Sequence, residues 1–308
     1  MSINDIAPDE IPIIDAHHHL WDLSAGRYPW LQDEYHEAFF LGDYRSLCRD
    51  FLPQDYLAAV GAQPLIGTVH VEAERARDEQ VAETRWLHEV HERYGFPRAV
   101  VAHAWFDAPD TEEILARHAA YSLVRGIRSK PVTSRSPGER IDDIRGTMRH
   151  PAWLRGFSLL EKFGFSWDLR VPPWHLADAA EVASMFPNIG IALNHTGFPW
   201  DRSEAGLARW RRGMEQLAKQ SNVSVKLSEF GLKDALWNYD DNRRIVLDAV
   251  SIFGVDRCMF ASNFPVAGLR VSYDMLVSSL RRMLEPLGRD ALEKIFYRNA
   301  QRFYRIAV

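Results

Sequence analysis

The chain has 308 residues, with 37 lysines and arginines against 42 aspartates and glutamates, for a formal net charge of −5. Charges of both signs are interspersed and no long basic run occurs, which argues against nucleic acid as a main partner. The length permits one or two domains, and the two cysteines, Cys48 and Cys258, imply no disulfide framework and favour a reducing compartment.

Residues 1–12 read as an arm. The first strand is predicted over Pro12 to Ala16, and it runs into Asp15-Ala16-His17-His18-His19-Leu20-Trp21-Asp22. Apolar residues followed by polar ones are how a buried strand reads where it surfaces at its C-terminal end. Side chains alternate along a strand, so Asp15, His17 and His19 are expected on one face and His18 on the other. Two imidazoles on one face can hold one cation or polarise one carbonyl. Residues 24–56 are rich in aromatics, charges and turn formers, with little periodicity. So long an irregular segment in a compact domain is expected to serve as a lid or site wall.

Regular alternation follows. Strands are predicted from residue 65 to 72, 99 to 103, 123 to 128, 165 to 171, 189 to 194, 223 to 227 and 258 to 261. Helices are predicted from 77 to 94, 111 to 121, 151 to 163, 176 to 186, 204 to 220, 242 to 253, 272 to 284 and 289 to 296, with a polar loop over 133–138. About eight strands, each followed by a helix, predict a parallel sheet closed into a single-domain (β/α)8 TIM barrel over residues 1–308. The alternative is a doubly wound open sheet, but no G-x-G-x-x-G or P-loop follows any strand. No apolar run is long enough to span a bilayer and no charged-then-apolar leader is present, so a soluble cytoplasmic protein is expected.

In a barrel, a site is built at the C-terminal ends of the strands. Those ends offer Asp15, His17 and His19, then His70 and Glu72, then His103 and Trp105. They continue with Arg128 and Lys130, Asp168 and Arg170, Asn194-His195-Thr196-Gly197, Lys226 with Ser228 and Glu229, and finally Ser262 and Asn263. Arg128, Lys130, Arg170 and Lys226 make this mouth cationic in a chain of negative net charge, which suits a substrate bearing a carboxylate. The ten tryptophans recur near strand ends. Most belong to the core, but Trp105, Trp167, Trp174 and Trp200 suggest aromatic walls and a flat or apolar ring.

The stretch Asp15-Ala16-His17-His18-His19 resembles the strand-one D-x-H-x-H signature of the amidohydrolase superfamily. Its continuation Leu20-Trp21-Asp22, with Arg27-Tyr28-Pro29-Trp30-Leu31, is similar to the sugar-lactonase and pyrone-dicarboxylate lactonase branch. Val69-His70-Val71-Glu72-Ala73, Gly126-Ile127-Arg128, Asn194-His195-Thr196-Gly197 and Met259-Phe260-Ala261-Ser262-Asn263-Phe264-Pro265 follow that branch's landmarks in order. The resemblance implies His17, His19 and His195 as the metal-binding or carbonyl-polarising set. It implies Arg128 at a substrate carboxylate or lactone oxygen; the cationic mouth and the strand-end tryptophans add Arg170, Lys226, Trp105 and Trp167 as candidate substrate contacts. Asn263 stands where the family carries its general-base Asp. An amide takes no proton from water at neutral pH and brings no charge to a metal. The resemblance therefore leaves open one divalent ion, zinc or manganese, or no metal. The base falls to a neighbour such as Glu72, Glu229 or Asp168.

The expected function is hydrolysis of a lactone or related cyclic ester, carboxylated in character, by water attack on a polarised carbonyl. Alternatives are a decarboxylase or lactone isomerase on the same scaffold, or a binding barrel whose chemistry went with the Asp. A small anionic molecule is the expected partner, with no nucleic acid and no membrane; a homo-oligomer is left open.

Overall fold

Eight short apolar runs form the strands β1 (Ile13–His18), β2 (Leu65–Val71), β3 (Ala99–His103), β4 (Val124–Arg128), β5 (Ser166–Leu169), β6 (Ile191–Leu193), β7 (Val223–Leu227) and β8 (Cys258–Phe260). The computed structural model describes residue 7 and residues 10–141, 144–233 and 235–307; most of the arm expected over 1–12 lies outside them. Neighbouring strands pair in parallel in the order β1 to β8. The ring closes just beyond β8. There the Asn263 amide donates to the His17 carbonyl at 2.7 Å, and the His19 amide donates to the Phe264 carbonyl at 2.8 Å. This is the expected (β/α)8 barrel, and the open doubly wound sheet is ruled out.

Period-two alternation divides the apolar side chains into two layers. Ile14, Ala16, Val69, Val71, Ala99, Val101, Met259 and Ala261 pack together in one buried cluster. Tyr297, Ala300, Tyr304 and Ile306 from the end of the chain pack into that same cluster. The larger cluster lies between the strands and the surrounding helices, where Trp153 and Phe157 stack and Trp167 meets both edge to face. Helices over Gln80–Tyr94, Thr111–Ala119, Pro151–Phe163, Leu176–Met185, Glu204–Ala218, Tyr239–Phe253 and Tyr273–Leu284 follow β2 to β8 in turn. Ser203, Asn238 and Ser272 cap three of them, each accepting from a backbone N–H of the first turn.

Two regions differ from expectation. The irregular segment after β1 contains a short helical turn at Pro29–Gln32, and beyond its main stretch the helix Pro53–Val60, each with proline in its first turn. The last predicted helix is longer and interrupted: Arg289–Glu293 passes through a wider π turn, Lys294–Arg298, into Asn299–Tyr304. Among the described residues no helix is long and apolar enough to cross a membrane.

Candidate active site

The strand ends surround a cavity of about 520 Å³. His19, Arg128, Arg170, His195 and Asn263 line it together with Lys130 and Glu74. Trp30, Phe39 and Phe40 from the segment after β1, and Trp200 from the loop after β6, form aromatic walls. The irregular segment is thus a site wall. The individual residues Trp30, His36, Phe39 and Phe40 were missed, because an irregular run shows that it is unusual but not which side chains turn inward.

The strand-one motif does not alternate evenly. The pairing of β1 with β2 slips between Asp15 and His18, and this irregularity changes the faces. Asp15 does not share a face with His17 and His19. Its carboxylate accepts from Tyr56 Oη at 2.8 Å and from the Ser262 amide at 2.8 Å, and His18 stacks on the same Tyr56 ring. Asp15 therefore ties β1 to β8 and to the helix Pro53–Val60, outside the cavity. His17 and His19 are brought together, their Nε2 atoms 3.2 Å apart. The His195 ring lies 4.6 Å from that of His17, centroid to centroid.

Hydrogen bonding sets the tautomers of this group. His19 Nδ1 donates to the Val71 carbonyl at 2.7 Å, which leaves a lone pair on Nε2. His17 Nδ1 faces the Lys226 ammonium at 3.5 Å. An ammonium can only donate, so the His17 proton belongs on Nε2, pointing at His19. Burial, with Lys226 next in weight, holds His17 well below the ordinary imidazole range; burial and Arg128 do the same for His19, and burial and Arg170 for His195. All three are neutral at pH 7. His195 Nδ1 meets Ser228 Oγ at 3.1 Å, while its Nε2 has no protein partner among the described residues.

This donor set does not fit a tetrahedral three-histidine metal centre. A protonated His17 Nε2 offers no lone pair, a lysine stands behind it, and the strand-eight position is an amide. Among the described residues no group of three His, Cys, Asp or Glu side chains is placed to hold a metal ion.

The cations divide into three kinds. Lys226 is fully buried and ion-paired to Asp168, whose other oxygen accepts from Tyr304 Oη at 2.9 Å. Lys226 is therefore a barrel-interior residue beneath His17 and not a substrate contact. Asp168, so engaged, is no base. Arg128 is buried and held by Glu72, Nε to carboxylate at 2.5 Å and Nη2 to the Glu72 carbonyl at 2.5 Å. Glu72 is consequently an ion-pair partner and not a general base; burial pushes it up, but Arg128, with His103 and Lys130, together outweigh burial and bring it down to about 2. Arg170 is half-buried and has no hydrogen bond or ion pair within the described residues. It lies over the rings of Phe198 and Phe40, 5.1 and 5.8 Å from their centroids.

Two tryptophans are reassigned. Trp167 is fully buried among Trp153 and Phe157 and donates to the Ser129 carbonyl, so it is core and not site. Trp105 lines a neighbouring cleft of about 250 Å³, under Arg77, and does not line the main cavity. Backbone conformation also marks the mouth. Glu74, His195, Thr196, Phe198, Glu229 and Asn263 all have φ between 53° and 58°. Non-glycine residues pay for that region and cluster where the surrounding structure fixes them for a purpose.

Fold and site together define a (β/α)8 barrel with a histidine- and arginine-lined mouth at its strand ends, and comparison with known proteins specifies the class. The family profile described as Amidohydrolase matches residues 14–306, and the chain belongs to that family. It is 36% identical to an uncharacterised protein of Sinorhizobium fredii, over 96% of this chain and 99% of the relative. It is 30% identical to an L-fucono-1,5-lactonase of Burkholderia multivorans, over 88% of each. A Burkholderia multivorans amidohydrolase crystallised with zinc superposes with a TM-score of 0.75 at 27% identity, covering 96% of this chain and 99% of that one. The L-fucono-1,5-lactonase among these relatives agrees with the lactonase branch that the motifs resemble.

Proposed function

We propose that this protein hydrolyses a lactone that carries a carboxylate on a flat ring. The observation that carries the reading is Arg170, a half-buried cation with no ion-pair partner among the described residues, set in an aromatic-walled cavity that also exposes His19, His195 and Asn263. The similarity to an L-fucono-1,5-lactonase supports lactone chemistry, while Trp30, Phe39, Phe40 and Trp200 favour a flat ring over a fully hydroxylated sugar.

In this reading Arg170 binds the substrate carboxylate, where a guanidinium without a competing partner gives a bidentate contact. Arg128, fixed by Glu72, faces the carbonyl oxygen and stabilises the negative charge that gathers on it as water adds. The unpartnered Nε2 of neutral His195 takes the proton from that water. When the ring C–O bond breaks, the same proton passes to the departing alkoxide, and the product is an open hydroxy acid. No step runs through a metal, because the His17–His19 pair as protonated offers no place for one.

Ring opening releases acid at neutral pH, so a pH-indicator screen of carboxylated aromatic lactones and neutral sugar lactones tests the reading. Turnover is expected with the carboxylated set, unchanged after dialysis against a chelator. Among the described residues Glu74 is the only carboxylate on the cavity wall, and a base-poor, cation-rich mouth also suits decarboxylation. Carbon dioxide release from aromatic acids, with no acid from any lactone, would replace the first reading with that one.

A further inference from the structure

Asn263 and Glu229 form a pair that no chemistry described above uses. Asn263 Nδ2 lies 2.5 Å from Glu229 Oε2. Glu229 is buried behind Asn263 and does not line the cavity, whereas Asn263 does. The backbone of Asn263 is fixed on both sides: its N–H donates to the His17 carbonyl at 2.7 Å and its own carbonyl accepts from the Ala267 N–H at 2.9 Å. Both residues adopt left-handed backbone, φ 54° for Glu229 and 57° for Asn263. Ionised Glu229 has no proton to give, so in that form the amide group that faces it is the nitrogen. The amide is planar, and its oxygen then points the other way. That Oδ1 has no partner among the described residues and is not among the buried polar atoms left without one, so it opens onto the cavity.

We propose that Glu229 is a positioning residue that locks the Asn263 amide with its oxygen toward the cavity, making the strand-eight position a fixed hydrogen-bond acceptor for the attacking water. The inference rests on the lactone-hydrolysis reading for its kinetic consequence, while the amide orientation itself stands apart from it. The carboxylate that the family resemblance leads one to expect on strand eight is displaced by one layer. It no longer takes the water's proton; it orients the group that holds the water. Glu229 is pushed up to about 7, by burial first, with Asn263, Arg170 and Arg270 opposing. In its protonated form it can donate to the amide oxygen and let the amide turn, so activity is expected to rise as pH increases through neutrality.

Three variants test this. Glu229→Met removes the acceptor, and kcat is expected to fall roughly 10- to 100-fold with KM nearly unchanged, since a bond made to the attacking water acts in the transition state. Glu229→Gln can meet Asn263 in either amide orientation and should cost about twofold. Asn263→Asp sets two carboxylates at hydrogen-bond distance, which must share a proton. Adding Glu229→Gln to it restores one donor and one acceptor and is expected to recover kcat at pH 8. Selective 15N-Asn labelling supplies a readout independent of turnover: the Asn263 side-chain amide protons should exchange slowly in the wild type and fast in Glu229→Met. Lower thermal stability with unchanged kcat in Glu229→Met would make Glu229 merely structural and overturn the inference, as would equal kcat for Asn263→Asp and the double variant. A wild type that opens no lactone yet keeps the protected amide ends the lactone reading and supports the amide orientation.

Discussion

Arg128 and Arg170 sit in one cavity, but their partners assign them different work. Arg128 is bound to buried Glu72, and removing one member of a buried pair leaves the other charge uncompensated, at a cost of about 3–5 kcal/mol. Arg170 has no such partner among the described residues to abandon. Arg170→Met is therefore expected to fold normally and to raise KM for a carboxylated lactone at least tenfold more than for its methyl ester. Arg128→Met should lower kcat and the urea midpoint together. Equal KM effects on acid and ester would remove Arg170 from the carboxylate. Ser134, His175 and Asp178 show the reverse case, where geometry resembles catalysis without supporting it. Ser134 Oγ is 2.9 Å from His175 Nε2, and His175 Nδ1 is 2.7 Å from Asp178. However, the Ser134 backbone N–H already donates to that Nε2 at 2.9 Å, and Trp174 Nε1 donates to Oγ at 3.0 Å. The imidazole lone pair is thus engaged in anchoring the loop after β4, not in activating a nucleophile. A fluorophosphonate probe should leave Ser134 unlabelled by mass spectrometry, and Ser134→Ala should retain kcat while losing about 1 kcal/mol of stability.

At the scale of elements, the strands were legible because each is a short apolar run bounded by turn residues, and β3 and β7 fall on their predicted limits. The convergence of His17, His19 and His195 at one mouth was legible for the same reason, since strand ends are where polar residues follow apolar ones. What alternation could not show is a slip in register: one irregularity in β1 moved Asp15 to the other face. Nor could it separate the layers, so Trp167 in the core and Trp200 at the cavity looked alike. Pairing was hidden too, since Glu72 and Arg128 are 56 residues apart. Gly156 shows how such contacts override local preference. It sits inside the helix Pro151–Phe163, where alanine would be favoured by about 1 kcal/mol. A Cβ there would stand 1.9 Å from the Phe106 backbone carbonyl oxygen, in the segment after β3. Overpacking typically costs 1–3 kcal/mol, and backbone yields less readily than a side chain, so the contact outweighs propensity. Gly156→Ala is expected to lower the melting temperature; a rise would mean that helix and loop are not in close approach.

Across the whole molecule, burial of histidine determines how stability responds to acid. His17, His18, His19 and His195 are held well below their ordinary range, chiefly by burial, and His70 and His118 are brought down to about 4 by the same cause. In the unfolded chain each titrates near 6.5. Below that pH the unfolded state binds more protons than the folded one, so stability falls as pH falls. At pH 5, His70 and His118 alone withdraw about 2 kcal/mol each. Buried carboxylates act in the opposite direction. Burial raises Glu83 to about 8 and Glu229 to about 7. The folded state keeps their protons longer, so their contribution is complete below about 4.5 and is lost as pH rises through 7 to 8. Between pH 4.5 and 6.5 the histidines outnumber these two and set the sign; above 6.5 the carboxylates are opposed by Lys130, which burial brings down to about 7 in the folded state. The urea midpoint is therefore expected to peak near pH 6.5, falling steeply toward pH 5 and levelling off by pH 8, where Lys130 offsets the carboxylates. His118, which bonds Thr84 and the His103 carbonyl on the helix side of β3, lies away from the cavity and isolates the effect. His118→Gln should lower the midpoint at pH 7 yet flatten the acid limb by close to one proton. A midpoint that does not change between pH 5 and 7 would show that these histidines accept protons without unfolding.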